Sequence, residues 1–237
     1  MRRVWLMILS ASLITAIGCG KKHYEERMTK TLDKMKYDQR LKKNLMDAPT
    51  EKKFTDLDIY VRPPKDEVYA KTGQLPVGEG QFDLDASFNE KTDASLHVLA
   101  RVKRPKKATP TKGAPPPPPP TARGAFDADV LTVLASVFGS PDALLTPKFV
   151  EEVKKGNRFK RLIFATGDNE VKVYLYKQDI YEVALVFVYN NKLKNPISSK
   201  IDLCLESFAA GAKAKLLFQG GNTEEDSAGA GTPAGPM

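Results

Sequence analysis

The chain has 237 residues, 41% of them hydrophobic and 28% charged, and 37 Lys and Arg against 29 Asp and Glu give it a net charge of +8. That apolar fraction is normal for a globular protein and supports a real core, which excludes disorder throughout. With only two cysteines and two histidines, His23 and His97, a zinc or copper site of the usual imidazole and thiolate type would have to draw mostly on carboxylates, so no metal or cofactor is expected.

At the N-terminus, Arg2 and Arg3 precede an uncharged run, Val4 to Ile17, that ends at Gly18-Cys19. A spanning helix needs roughly 18 or more apolar residues, so this run has the length of a cleavable signal core. The stretch Thr15-Ala16-Ile17-Gly18-Cys19 resembles the lipobox of bacterial lipoproteins, with Ala16 where a larger aliphatic residue is usual. The resemblance implies that residues 1–18 are a signal peptide, that Cys19 is acylated, and that membrane lipid is a partner through that cysteine. Removal of Arg2 and Arg3 leaves a net charge of +6, which suits anionic headgroups or an acidic polymer; an exported protein does not normally meet nucleic acid, and an envelope protein is the other partner expected. Gly20, in place of an aspartate, points by the family's sorting rule to the periplasmic face of the outer membrane. Cys204 is then left without an intramolecular disulfide partner.

Residues 19–53 read as a lipid-anchored helical tether. Tyr24, Met28, Leu32 and Met35 recur at helical spacing, and Glu26 with Lys30 and Asp38 with Lys42 are favourable i,i+4 pairs. Two readings stand: a stalk that lifts a domain off the membrane, preferred because Glu25, Glu26 and Asp33 dilute the basic face, or a helix lying on anionic headgroups. Pro49 ends the helix.

Residues 54–218 read as one α+β domain, the alternative being two independently folded domains joined by the proline-rich segment. Leu57, Ile59 and Val61 alternate as a short strand closed by Pro63-Pro64. Phe82 to Phe88 and Leu96 to Val102 form a hairpin about a turn at 89–93. A proline-rich insertion at about 103–124, with a lysine cluster and Pro115 to Pro120, reads as a polyproline spacer. A helix capped by Asp127 or Asp129 carries Val130, Leu131, Leu134, Val137 and Phe138. A second is expected from Thr146-Pro147 to Gly156, burying Phe149, Val150 and Val153. Three strands follow, Phe159 to Ala165, Val171 to Tyr176 and Ile180 to Tyr189; the third is apolar at both parities and should be central. A last helix carries Ile197, Ile201, Cys204, Leu205, Phe208 and Ala212 as one stripe, stopped by Gly220-Gly221. Residues 219–237 read as a disordered tail.

The segment Asp179-Ile180-Tyr181-Glu182-Val183-Ala184-Leu185-Val186-Phe187, followed by a helix carrying Ser207-Phe208, resembles the closing strand and helix of the PsbP superfamily. The resemblance spans residues 54–218. It implies an α/β/α sandwich on an antiparallel sheet and a binding or assembly role, and it brings no functional residue with it.

Candidate chemistry is sparse. Asp83 and Asp85 share a strand face, most simply a solvated one. His97 shares parity with Leu99 and Arg101 and has no nucleophile motif around it. Cys204 belongs to an apolar stripe and should be a buried hydrophobe. Lys172, Tyr174 and Tyr176 make an aromatic and basic face that either binds glycan or peptide or packs under a helix. No phosphate loop, Ser-x-x-Lys or His-Glu-x-x-His occurs. The expectation is a non-enzymatic envelope lipoprotein that acts as a binding or assembly module; the alternative is an exported hydrolase with an unrecognised site.

Overall fold

The computed structural model describes residues 2–65, 75–90, 94–103 and 124–220. The proline-rich insertion beyond its first and last residues, residues 91–93 of the turn expected at 89–93, and the tail from 221 onward lie outside the described residues, while Asn89 and Glu90 belong to a strand. The chain divides into two units, Met1–Lys43 and Asn44–Met237.

The first unit is helix α1, Arg2–Asn44. From residue 23 its side chains are mostly exposed, including Tyr24 at 66%, Met28 at 47%, Leu32 at 49% and Met35 at 54%. Among the described residues, no helix is long and apolar enough to cross a membrane.

The second unit is an α+β layer structure around a six-stranded antiparallel sheet. Its strands are β2 (Leu84–Glu90), β3 (Ala94–Val102), β4 (Val150–Lys154), β5 (Asn157–Thr166), β6 (Asn169–Gln178) and β7 (Tyr181–Asn190). They lie in the order β2-β3-β7-β6-β5-β4. The expected hairpin and the three later strands are all present. β7 is central, and Val183, Ala184, Leu185 and Val186 are fully buried on alternating sides. That is why its sequence is apolar at both parities.

One sheet face carries Leu99, Leu162, Phe164, Val171, Val173, Leu175, Ala184 and Val186. It packs against Phe126, Val130, Val133 and Leu134 of helix α3 (Phe126–Phe138) and Leu144 of the one-turn helix α4 (Asp142–Leu145). The other face carries Phe159, Tyr174, Tyr176 and Phe187. It is covered by helix α5 (Lys194–Ser207) and Phe208, whose ring lies 5.0 Å from Tyr176 and 5.8 Å from Phe159. Short pieces complete this layer: α2 (Lys52–Thr55), β1 (Ile59–Tyr60) paired with β8 (Ala209–Ala210), and α6 (Ala212–Phe218). Each large apolar side chain fully buried here contributes about 1.5–3 kcal/mol relative to exposure.

Three expectations are corrected. The helix foreseen from Thr146-Pro147 is strand β4, and Val150 and Val153 are 54% and 62% exposed, not buried. The i,i+3 spacing of those valines mimics a helix, but Lys155 and Gly156 both hold positive φ, 45° and 85°, which is the geometry of a two-residue hairpin turn into β5. The single helix from Ile197 through Ala212 is broken. α5 ends at Ser207, Phe208 is extended, and Gly211 sits at φ 69° with Tyr181 so close that a Cβ would meet its ring at 3.0 Å. Neither Asp127 nor Asp129 caps α3; Ala125 holds the N-cap position without a side-chain bond.

Candidate functional site

β2 and β3 bring Asp85, Ser87, Ser95 and His97 to one sheet face, since Ser87 pairs with His97 and Asp85 with Leu99. His97 is 4% exposed. Its Nδ1 lies 2.7 Å from Ser87 Oγ and its Nε2 3.1 Å from Ser95 Oγ, so both ring nitrogens are engaged by hydroxyls. Burial with no countercharge pushes the imidazole down to about 4, so the ring is neutral at ordinary pH. Asp85 Oδ1 is buried without a hydrogen-bond partner among the described residues, and burial raises its carboxyl, opposed by Lys53. The solvated face expected for the aspartates is therefore half right. Asp83 is exposed, and it accepts a bond from the Val102 N–H at 2.9 Å, closing the β2–β3 ladder. Asp85 is part-buried, with its Oδ1 out of reach of solvent.

Further along the same face, β3 places Arg101 at 3% exposure. Its guanidinium donates from Nε to the Gln81 carbonyl at 2.8 Å, from Nη1 to the Gly124 carbonyl at 3.0 Å, and from Nη2 to the Asp129 carboxylate. It sits over the rings of Phe82 and Phe126, 5.1 and 5.6 Å from their centroids. This is a tie between β3, the segment before β2 and the start of α3, with the forked donor geometry that arginine alone provides. Sequence reading missed it. The signal was a charge at the inward parity of Leu99, which has to be paired if it is buried.

Beside Arg101 opens a cleft of about 450 Å³, lined by Arg101, Lys103, Gly124, Phe126, Lys177 and Glu182. Its cations are committed: Lys103 lies 2.9 Å from Glu182, and Lys177 is 2.9 Å from Asp127 and 3.7 Å from Glu182. Balanced charge of this kind makes a poor receptor for a free anion.

The opposite face holds the expected aromatic and basic group, covered by α5. Tyr174 and Tyr176 are 2% and 5% exposed, and Lys172 Nζ donates to Ser198 Oγ of α5 at 3.3 Å. Helix packing, not ligand binding, is what this face does. Lys172 also approaches Glu170 at 3.6 Å, and the Tyr189 hydroxyl donates to Glu170 at 2.5 Å. Burial, then this carboxylate, raises the Tyr189 phenol, so it holds its proton as a donor should. Cys204 is fully buried in α5 and free, and burial pushes its thiol up, away from the reactive thiolate. Among the described residues, no three His, Cys, Asp or Glu side chains converge as a metal site would. Cys19 lies on α1, in the part whose side chains are not described.

No protein-family model matches this chain, and no curated protein sequence matches it. Among solved structures it is similar to the solution structure of cyanobacterial PsbP (CyanoP) from Synechocystis sp. PCC 6803. That likeness covers 71% of this chain and 93% of that one, at 12% identity and a TM-score of 0.40. A likeness at that level is one of fold outline and carries no argument about function. What the structure itself defines is an α+β protein: an antiparallel sheet between helical layers, preceded by a long charged helix.

Proposed function

We propose that the chain is an exported lipoprotein, anchored in the cell envelope through acylated Cys19, and that its sheet unit is a non-enzymatic binding or assembly module. The observation that carries this reading is the N-terminal arrangement: Arg2-Arg3, the uncharged run from Val4 to Ile17, then Gly18-Cys19. Two or more acyl chains meet what stable anchoring needs, whereas a single chain binds only marginally. Gly20 favours the periplasmic face of the outer membrane. The expected partner of the sheet unit is an envelope protein or an anionic polymer. The chemistry of the sheet unit supports the non-enzymatic part, because its reactive groups are already engaged: His97 with two serines, Arg101 with three oxygens, and Cys204 inside the core.

Labelled palmitate should enter the wild type and not Cys19→Ala; equal labelling of both would sink the anchor. The hydrolase reading has one contact in its favour, the 2.7 Å approach of Ser87 to His97. Against it, the second nitrogen that would orient a catalytic base meets Ser95 rather than a carboxylate. A fluorophosphonate probe that labels wild type and not Ser87→Ala would establish that reading instead.

A further inference from the structure

We infer that the face of α1 marked by Tyr24, Met28, Leu32 and Met35 lies on an anionic bilayer surface; this rests on the proposed anchoring at Cys19. The four residues follow at spacings of four, four and three, which keeps them within about 40° of Met28 on a helix turning 100° per residue. All four are 47–66% exposed, so the structure holds a continuous apolar stripe that is not buried within the helix's own unit. A stalk has no use for such a stripe, and a surface-lying helix is built on one.

Charge selects the occupant. Residues 20–46 hold nine Lys and Arg against four Asp and Glu, an excess of five, while the whole chain from Cys19 onward has an excess of six. The basic character of the protein is therefore concentrated in this one helix. Glu25 and Asp38 border the stripe, and they are outnumbered by Arg27, Lys36 and Lys42, all exposed. Glu26 and Asp33 lie on the far side, about 140–160° round from Met28. A helix is about 10–12 Å thick, comparable to a Debye length of about 8–10 Å, so cations on both sides feel an anionic surface. Acylated Cys19 would put the start of this stripe at the membrane, and long basic side chains beside it reach headgroups while their stems stay apolar.

Geometry separates a lying helix from a standing one. Met35 is sixteen residues beyond Cys19, about 24 Å along the axis, and Met28 is about 14 Å along it. In a standing helix these are their heights above the interface; in a lying helix both are at it. The test uses the full chain carrying Trp5→Phe, which removes its single tryptophan. Met28→Trp, Met35→Trp or Lys30→Trp is then added, and the protein is reconstituted in phosphatidylglycerol-rich vesicles with or without brominated acyl chains. The stripe variants should emit at shorter wavelength and be quenched roughly two-fold or more by bromine, and Lys30→Trp should not be. Replacing phosphatidylglycerol with a zwitterionic lipid should weaken the quenching at position 35. Unquenched stripe variants in membrane-bound protein would overturn the proposal in favour of the stalk. A blue shift without quenching, together with a crosslinked dimer, would overturn it in favour of a second copy. Intact mass of the same preparation reports acylation at Cys19 separately, so failure of the anchor and failure of the stripe are distinguishable.

Discussion

Met28 and Leu185 are both large apolar side chains on regular backbone, yet Met28 is 47% exposed and Leu185 is fully buried. The contrast extends to charged residues. Arg27 and Lys36 in α1 are exposed, whereas Arg101 in the sheet unit is 3% exposed and tied to three oxygens. A single helix has no interior, so its apolar stripe gains burial only from a surface outside the helix. A three-layer sheet unit has an interior, and a polar group placed there has to find its partners within the fold. Exposed apolar residues on α1 are therefore what the proposed membrane contact would bury, while buried polar residues in the sheet unit mark how it holds itself together.

Arg101→Ala should give the largest effect, because it strands Asp129 and two carbonyls and uncovers the rings of Phe82 and Phe126. A loss of about 3–5 kcal/mol in urea unfolding is expected; a change below a tenth of that would remove Arg101 from the structural account. The next effect depends on pH. His97 is neutral when folded, with its pKa pushed down to about 4, while the unfolded ring titrates near 6.5. Its contribution is fully present above pH 6.5 and is lost as pH falls toward 4, about 3 kcal/mol in all. His97→Gln should flatten stability over that window relative to wild type, and an unchanged pH profile would contradict the assignment. Cys204→Ala should cost about 1 kcal/mol as a small cavity, and the native thiol should react slowly with a neutral-pH thiol reagent. Smallest of all, Met28→Ala should change unfolding stability by no more than about 0.5 kcal/mol, because its side chain meets solvent. A core-like cost there would erase the contrast between the two units.

Much of the sheet was legible because hydrophobic alternation is local: the hairpin of β2 and β3, the meander of β5 to β7, and the central place of β7 follow from period-two runs. The placement of Cys204 followed from helical period. What failed depended on pairing and packing partners that a single element's own period does not show. Val150 and Val153 fit a helix until β5 is present to pair with them, and Phe208 to Gly211 continue a stripe until Tyr181 and Asp58 intervene, the latter accepting a bond from the Gly211 N–H at 2.9 Å. Asp129 is a plausible cap by position, and only the fold brings Arg101, 28 residues away, to claim it. Half of the polar cluster about His97 was local, since Ser95 shares its strand face two residues away; Ser87 reaches the imidazole only through the β2–β3 register.

The central claim is that this chain meets the membrane through Cys19. The most direct measurement is the intact mass and N-terminal peptide of the protein extracted from the membrane fraction of its own host. The account predicts a chain that begins at Cys19 and carries acyl mass on that residue, while Cys19→Ala retains residues 1–18. A chain beginning elsewhere, or one beginning at Cys19 with a free thiol and no added lipid, would contradict it.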